Sequence, residues 1–197
     1  SRETPDRREC RGWAGRRMAG ACEKIPGDNG ADLPAGHIGE IVIKAETLMQ
    51  GYLSMPELTE KVIVNGWYHS GDIGYIGENG YLFLTDRKNS MIITGGENVF
   101  PSEIESCILE LSPEVREVCV AGLPDPVWGE MVVAAVVKRE NSTLTENDIM
   151  AHCRERLGSF KKPKRVMFVD TLPVNGGGKV QRETVKEMFQ NMNTDKK

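Results

Sequence analysis

The chain lacks any cysteine pattern that would carry a disulfide framework or a zinc site. Its five cysteines (Cys10, Cys22, Cys107, Cys119, Cys153) form no C-x-x-C pair and leave an odd count, which suits a reducing compartment and predicts a cytoplasmic protein. Cys107 and Cys119 sit in apolar-periodic surroundings and are expected to be buried structural thiols. His37, His69 and His152 show no metal-ligand spacing, so no metal site is expected from them. Long hydrophobic runs are missing too; the stretch from Met131 to Val137 is far too short to cross a bilayer. The early arginines are interleaved with acids and glycine rather than leading into an apolar run, which excludes a secretory signal pattern there. Nor is there an excess of positive charge: a net charge of −4 gives no general ground for nucleic-acid binding. No internal repeat is visible. What remains is a chain of 197 residues, 39% hydrophobic and 27% charged, the balance of ordinary globular domains and enough for one sizeable domain or two small ones.

Hydropathy patterning divides the chain. Residues 1–14 are Arg-rich without periodicity and read as a flexible lead. Residues 36–45 (G-H-I-G-E-I-V-I-K-A) alternate apolar and polar side chains and predict a half-buried strand. Residues 58–64 predict a short helix after Pro56, and residues 80–85 (G-Y-L-F-L-T) another strand. Beyond Asn89 the pattern changes. Pro101 opens a helix with Ile104, Ile108 and Leu111 on one face. Residues 115–123 and 131–138 predict two strands joined by the turn P-D-P-V-W-G, in which Trp128 is expected to pack. Thr145 and Asp148 form a T-x-x-D capping box for a helix carrying Ile149, Cys153 and Leu157. Residues 165–170 predict a strand, 180–189 a closing helix, and 191–197 a fraying polar tail. The expected fold is α+β: a small β-rich subdomain over 15–85, a boundary at 86–90, and a compact α+β domain over 91–190 with a short sheet and about three helices.

Several residues are suited to chemistry. Asp72 follows a tight S-G turn at the expected end of an aromatic-rich strand, G-W-Y-H-S-G-D; a carboxylate there can accept from two vicinal hydroxyls, or simply cap the turn. Arg87 lies fifteen residues on, free to reach a ligand or to pair with Asp86. Gly95 and Gly96, before Glu97 and Asn98, permit positive φ and close backbone approach to a ligand, although any tight turn would favour the same residues. Lys179 follows three glycines in P-V-N-G-G-G-K-V-Q-R. It can reach into a distant site as a mobile point charge, or rest as a solvated lysine at a helix start, where the dipole disfavours it. Phe160, Lys161, Lys162, Lys164 and Arg165 surround Pro163; the ring suits adenine and the ammonium groups suit phosphates, against the plain alternative of a solvated loop.

Taken together, G-W-Y-H-S-G-D, the block T-D-R-K-N-S-M-I-I-T-G-G-E-N-V-F-P-S-E-I-E over 85–105, and the Lys179 segment resemble the AMP-forming acyl- and aryl-CoA ligases of the adenylate-forming superfamily. The resemblance runs from about residue 15, where G-R-R-M-A-G departs from the family's G-R-P-x-x-G at Arg17, to about residue 188. It implies that Asp72 and Arg87 hold the ribose of ATP or AMP, and that Asn89 occupies the interdomain hinge position usually filled by Asp or Lys. It further implies that Gly95, Gly96 and Glu97 line the passage for the CoA thiol, that Phe160, Lys162 and Lys164 bind the CoA nucleotide, and that Lys179 is catalytic in acyl-adenylation. Peptide-synthetase domains carry a more basic text at the Gly95 loop, so the wording favours CoA over a carrier protein.

The same resemblance identifies two absences. The chain has no Ser/Thr/Gly-rich phosphate loop ending in Lys and no Y-G-x-T-E segment of the kind that holds magnesium with ATP. Both precede this region in full-length relatives, as does the pocket for the carboxylic acid. The expectation is a C-terminal portion of a ligase: the tail of the large N-terminal domain followed by the complete small domain, inactive without the rest. The rival expectation is a non-catalytic interaction module, or one subunit of a split ligase that needs a partner chain.

Overall fold

The computed structural model describes residues 13–16, 21–27, 30–158 and 160–194. Most of the expected lead and of the G-R-R-M-A-G segment lies outside these residues, as do residues 195–197. The chain divides into two compact units, Ser1–Asn89 and Ser90–Lys197.

The first unit is built on six antiparallel strands: β1 (Trp13–Arg16), β2 (Ala21–Lys24), β3 (Gly39–Ala45), β4 (Ile63–Val64), β5 (Trp67–Ile76) and β6 (Tyr81–Arg87). Their order is β1-β6-β5-β3-β2, with β4 pairing β5. A short helix, α1 (Pro56–Val62), starts at its proline, where the missing N–H is no loss. The buried cluster is small, centred on Ile25, Ile41 and Leu82, with Tyr75 stacked on Phe83 at 4.9 Å. One expectation is corrected. The strand bearing G-W-Y-H-S-G-D does not end at Asp72 but continues to Ile76, because β6 pairs along it and a register shift between Ile73 and Gly74 absorbs the irregularity.

The second unit holds β7 (Ile92–Thr94), β8 (Glu97–Val99), β9 (Val115–Asp125), β10 (Gly129–Lys138) and β11 (Arg165–Phe168), with α2 (Pro101–Leu109), α3 (Glu146–Arg156) and α4 (Arg182–Thr194). β10 is central: antiparallel to β9 along its length, parallel to β11, and joined to β7 at Gly129. The unbroken apolar run of β10 has a simple cause, since both faces of the strand are covered. Val132, Ala134 and Val136 pack with Ile104 and Ile108 of α2 and Ile149 and Cys153 of α3. Val133, Ala135 and Val137 pack with Val185 and Phe189 of α4. Burial pushes the thiols up, Cys119 to about 11 and Cys153 to about 12, so both are unreactive packing groups. The closing helix begins at Arg182 and runs to Thr194, so residues 191–194, expected to fray, are helical. No helix of the described residues is long and apolar enough to cross a membrane.

The capping box of α3 is complete. Asp148 N donates to Thr145 Oγ1 at 3.3 Å, and Thr145 N donates to Asp148 Oδ2 at 2.8 Å. Hydrogen bonds from the Thr145 hydroxyl and backbone hold the Asp148 carboxyl below its ordinary value. A depressed carboxylate stabilises the fold above its unfolded pKa, and that contribution is lost as pH falls through the folded value. Thr145→Ala is therefore expected to cost about 1 kcal/mol near neutral pH. Urea unfolding of both proteins should show the difference at about pH 7 and shrink it at about pH 3.

Candidate functional site

Asp72 and Arg87 are direct cross-strand neighbours on β5 and β6. Arg87 Nε lies 2.8 Å from Asp72 Oδ1, so the partner of Arg87 is Asp72 rather than Asp86, whose carboxylate instead accepts the Arg87 backbone N–H at 2.7 Å. Fifteen residues of sequence separation become one rung of a ladder because the 77–80 turn folds the strands together. The Arg87 side chain is 67% exposed, so the pair contributes at most about 1 kcal/mol to stability. Its value is as a presented carboxylate–guanidinium couple. Tyr68 stands nearby on β5; a hydrogen bond with Tyr52, then burial, raises its hydroxyl pKa. His69 Nδ1 and Lys88 Nζ each lie 3.0 Å from Glu40 Oε2. Burial pushes the Glu40 carboxyl up, but these two partners outweigh it and hold it below the usual range. His69 is thereby engaged within the first unit. Asn89 lies in a single 3-10 turn over Lys88–Ser90, at the end of the first unit.

In the second unit, Gly95 and Gly96 form the turn between β7 and β8, with φ of 61° and 83°. Gly95 is required twice over. Its φ is left-handed, and a Cβ there would meet the Trp128 ring at 3.0 Å. Its N–H donates to Trp128 O at 2.8 Å. Trp128 is fixed by the turn between β9 and β10: Asp125 Oδ1 accepts from the backbone N–H groups of Val127 and Trp128, both at 2.9 Å. The indole is nevertheless 46% exposed, which corrects the expectation that it packs. Lys164 Nζ lies 5.1 Å from the centroid of the same ring. Gly95, Trp128 and Lys164 therefore make one patch, and sequence reasoning missed Trp128 in it. The signal available was an aromatic inside a turn of Pro, Asp and Gly, where packing has few partners.

The basic cluster divides by use. Lys161 Nζ is held by both Glu103 oxygens, at 2.7 and 2.8 Å, and Arg165 lies over the Phe189 ring at 5.4 Å. Phe160 remains on the surface, and Lys164 reaches solvent beside Trp128. Lys162 is half-buried and has no hydrogen bond or ion pair among the described residues.

Lys179 sits in a tight hairpin rather than at a helix start. Val174 bridges Val180, Asn175 N donates to Lys179 O at 2.9 Å, and Asn175 Oδ1 accepts from Gly177 N and Lys179 N, both at 3.0 Å. The backbone is fixed while the side chain is exposed, without a hydrogen bond or ion pair among the described residues. Such a lysine is an uncommitted point charge on a defined base. No cluster of three or more His, Cys, Asp or Glu side chains suits a metal ion among the described residues.

Residues 103–179 match the AMP-binding enzyme C-terminal domain. The chain is 43% identical over 178 residues to the long-chain-fatty-acid–CoA ligase FadD13 of Mycobacterium tuberculosis, covering 90% of this chain and 35% of that protein. It is 42% identical over 174 residues to the putative acyl–CoA ligase YdaB of Bacillus subtilis, covering 88% and 34% respectively. Among solved structures, ATP-bound MatB from Rhodopseudomonas palustris superposes with a TM-score of 0.85 at 37% identity, over 92% of this chain and 36% of that one. The chain thus spans about a third of the length of the relatives it matches.

Proposed function

From a chain that belongs to the adenylate-forming superfamily, with an AMP-binding enzyme C-terminal domain and acyl- and aryl-CoA ligases as homologues, we propose a part in AMP-forming acid–CoA ligation by the full-length protein. In the first half-reaction a carboxylate oxygen attacks the α-phosphorus of ATP, the bond to pyrophosphate breaks, and an acyl-adenylate forms. In the second, the CoA thiol loses its proton and attacks the acyl carbon, and AMP departs with the bonding electrons. Both steps depend on positioning and charge stabilisation more than on covalent chemistry by the protein.

Each residue has an assigned part in this reading. Asp72 accepts from the ribose hydroxyls, and Arg87 orients that carboxylate and approaches the same sugar. Lys179 stabilises negative charge between the attacking carboxylate and the α-phosphate. The Gly95, Gly96 and Glu97 turn borders the path of the thiol. Phe160, Lys162 and Lys164 hold the CoA nucleotide, and Trp128 extends that face. Asn89 is the hinge by which the second unit presents first Lys179 and then the Gly95 turn. Magnesium accompanying ATP would be held by residues outside this chain. The observation that carries the reading is Lys179, held on a hydrogen-bonded hairpin yet without a hydrogen bond or ion pair of its own side chain among the described residues.

Exposed apolar side chains over 52–58 favour packing of the first unit against further protein. Leu53 is 93% exposed and Met55 54%, with Tyr52 and Leu58 beside them in sequence. This supports docking on the remainder of the ligase, and equally on a separate partner subunit. Incubating the full-length protein with ATP, CoA and carboxylic acids tests the reaction: acyl-CoA should form with AMP and pyrophosphate in equal amounts. Formation of ADP, or no acid-dependent product from fatty and aryl acids, refutes it.

The CoA face has its own test. Lys162→Ala together with Lys164→Ala in the full-length protein should raise KM for CoA five- to thirty-fold, from about 1–2 kcal/mol of exposed charge contacts, and less at high salt. KM for ATP should hardly move. A rise in KM for ATP instead would leave these lysines as a solvated loop.

A further inference from the structure

Besides the burial of Leu172 at its foot, the Lys179 hairpin is tied to the rest of its unit through one guanidinium. Arg182, the first residue of α4, donates from Nε to Val120 O at 2.8 Å, from Nη2 to Glu105 Oε1 at 2.7 Å, and from Nη1 to Ser90 Oγ at 3.3 Å. Glu105 Oε1 also accepts the Val120 N–H at 2.9 Å. β9 pairs only with β10 in the described sheet, so its other edge is open. Val120 turns both its N–H and its C=O to that edge, and Glu105 and Arg182 satisfy them as a neighbouring strand would. The two side chains also pair with each other, closing a ring of three contacts. Both are mostly screened from solvent, 20% exposed for Glu105 and 29% for Arg182, and the bonds are charge-assisted.

We propose that the Glu105–Arg182 pair is a positioning device. It locks the base of the Lys179 hairpin to β9 and to Ser90, the first residue of the second unit, so that Lys179 moves as one body with the hinge-proximal chain. Only Val180 and Gln181 separate Lys179 from Arg182, and Gln181 N donates to Pro173 O at 2.8 Å, so the hairpin has no slack between its own bonds and the clamp. The clamp touches no reacting atom. It acts through Lys179, and this part of the proposal rests on the adenylation role given to Lys179 above.

In the full-length protein, Arg182→Ala is expected to slow acid-dependent ATP–pyrophosphate exchange about tenfold to a hundredfold, the usual consequence of a misplaced catalytic group. Thioesterification of a supplied acyl-adenylate should change less than about threefold, because it does not use Lys179. The double variant Arg182→Ala/Lys179→Ala should be no slower in exchange than Lys179→Ala alone. Glu105→Gln, which keeps the acceptor for Val120 but removes the charge, should fall between Arg182→Ala and the parent and guards against a folding defect in the former. Proportional loss of both half-reactions, or additive losses in the double variant, overturns the proposal. If Lys179→Ala itself leaves exchange intact, the functional reading fails first. A second measurement then judges the clamp alone: amide hydrogen exchange at Gly177 and Lys179 in the 197-residue chain should quicken about tenfold or more in Arg182→Ala. Unchanged protection there refutes the positioning role whatever the activity.

Discussion

Replacing Lys179 with alanine in the full-length protein is expected to lower the rate of acyl-adenylate formation by about a hundredfold to a thousandfold, the loss of a charge donor worth roughly 3–4 kcal/mol in the transition state. The reason lies in what holds this residue. Its backbone is anchored on both sides of the turn by Asn175, and its ammonium group is exposed and has no internal hydrogen bond or ion pair among the described residues. A lysine stabilising the fold would be paired; one waiting for an anionic substrate would look like this. The charge gains value as negative charge accumulates between carboxylate and α-phosphate, so kcat should fall more than KM for ATP rises. Thioester formation from a supplied acyl-adenylate should continue at close to the parent rate. Measuring both half-reactions on the same preparation decides the matter. Equal losses in the two would refute the proposed division of labour between Lys179 and the Gly95 turn.

The 197-residue chain alone is expected to show no acid-dependent incorporation of labelled pyrophosphate into ATP. Nothing in its sequence supplies a Ser/Thr/Gly-rich phosphate loop ending in Lys or a Y-G-x-T-E segment, and it spans about a third of the ligases it resembles. The Asp72–Arg87 couple and Lys179 cannot by themselves hold a triphosphate and an acid in line without those parts, and alignment of the reactants supplies a large share of the rate. The second unit has cores on both faces of its sheet, so the preparation should still unfold cooperatively on heating. A folded, inactive chain is the expected result. Exchange above background with any carboxylic acid would show that a phosphate site exists here that neither motif nor geometry identifies.

Local pattern alone determined much of this molecule. The capping box at Thr145 and Asp148, the proline-started helix at Pro101, the glycine turn at 95 and 96 and the long apolar strand beginning near Met131 each arise from forces acting within a few residues. Candidate site residues such as Asp72, Arg87 and Lys179 are marked by their type and setting in the sequence itself. What the sequence could not contain was their company. Arg87 meets Asp72 only because the register of β5 against β6 puts them on one rung, whereas adjacency in sequence had pointed to Asp86. Trp128 joins Gly95 and Lys164 only when β10 brings together a turn, a hairpin and the chain entering β11. Arg182 finds Glu105 across 77 residues and Ser90 across 92, at a strand edge whose openness depends on the whole sheet order. Hydrogen bonds and ion pairs act over a few ångströms, so partners distant in sequence are chosen by strand register and helix docking. Tertiary structure decided those pairings, and with them the difference between a residue that is merely present and one that is held ready.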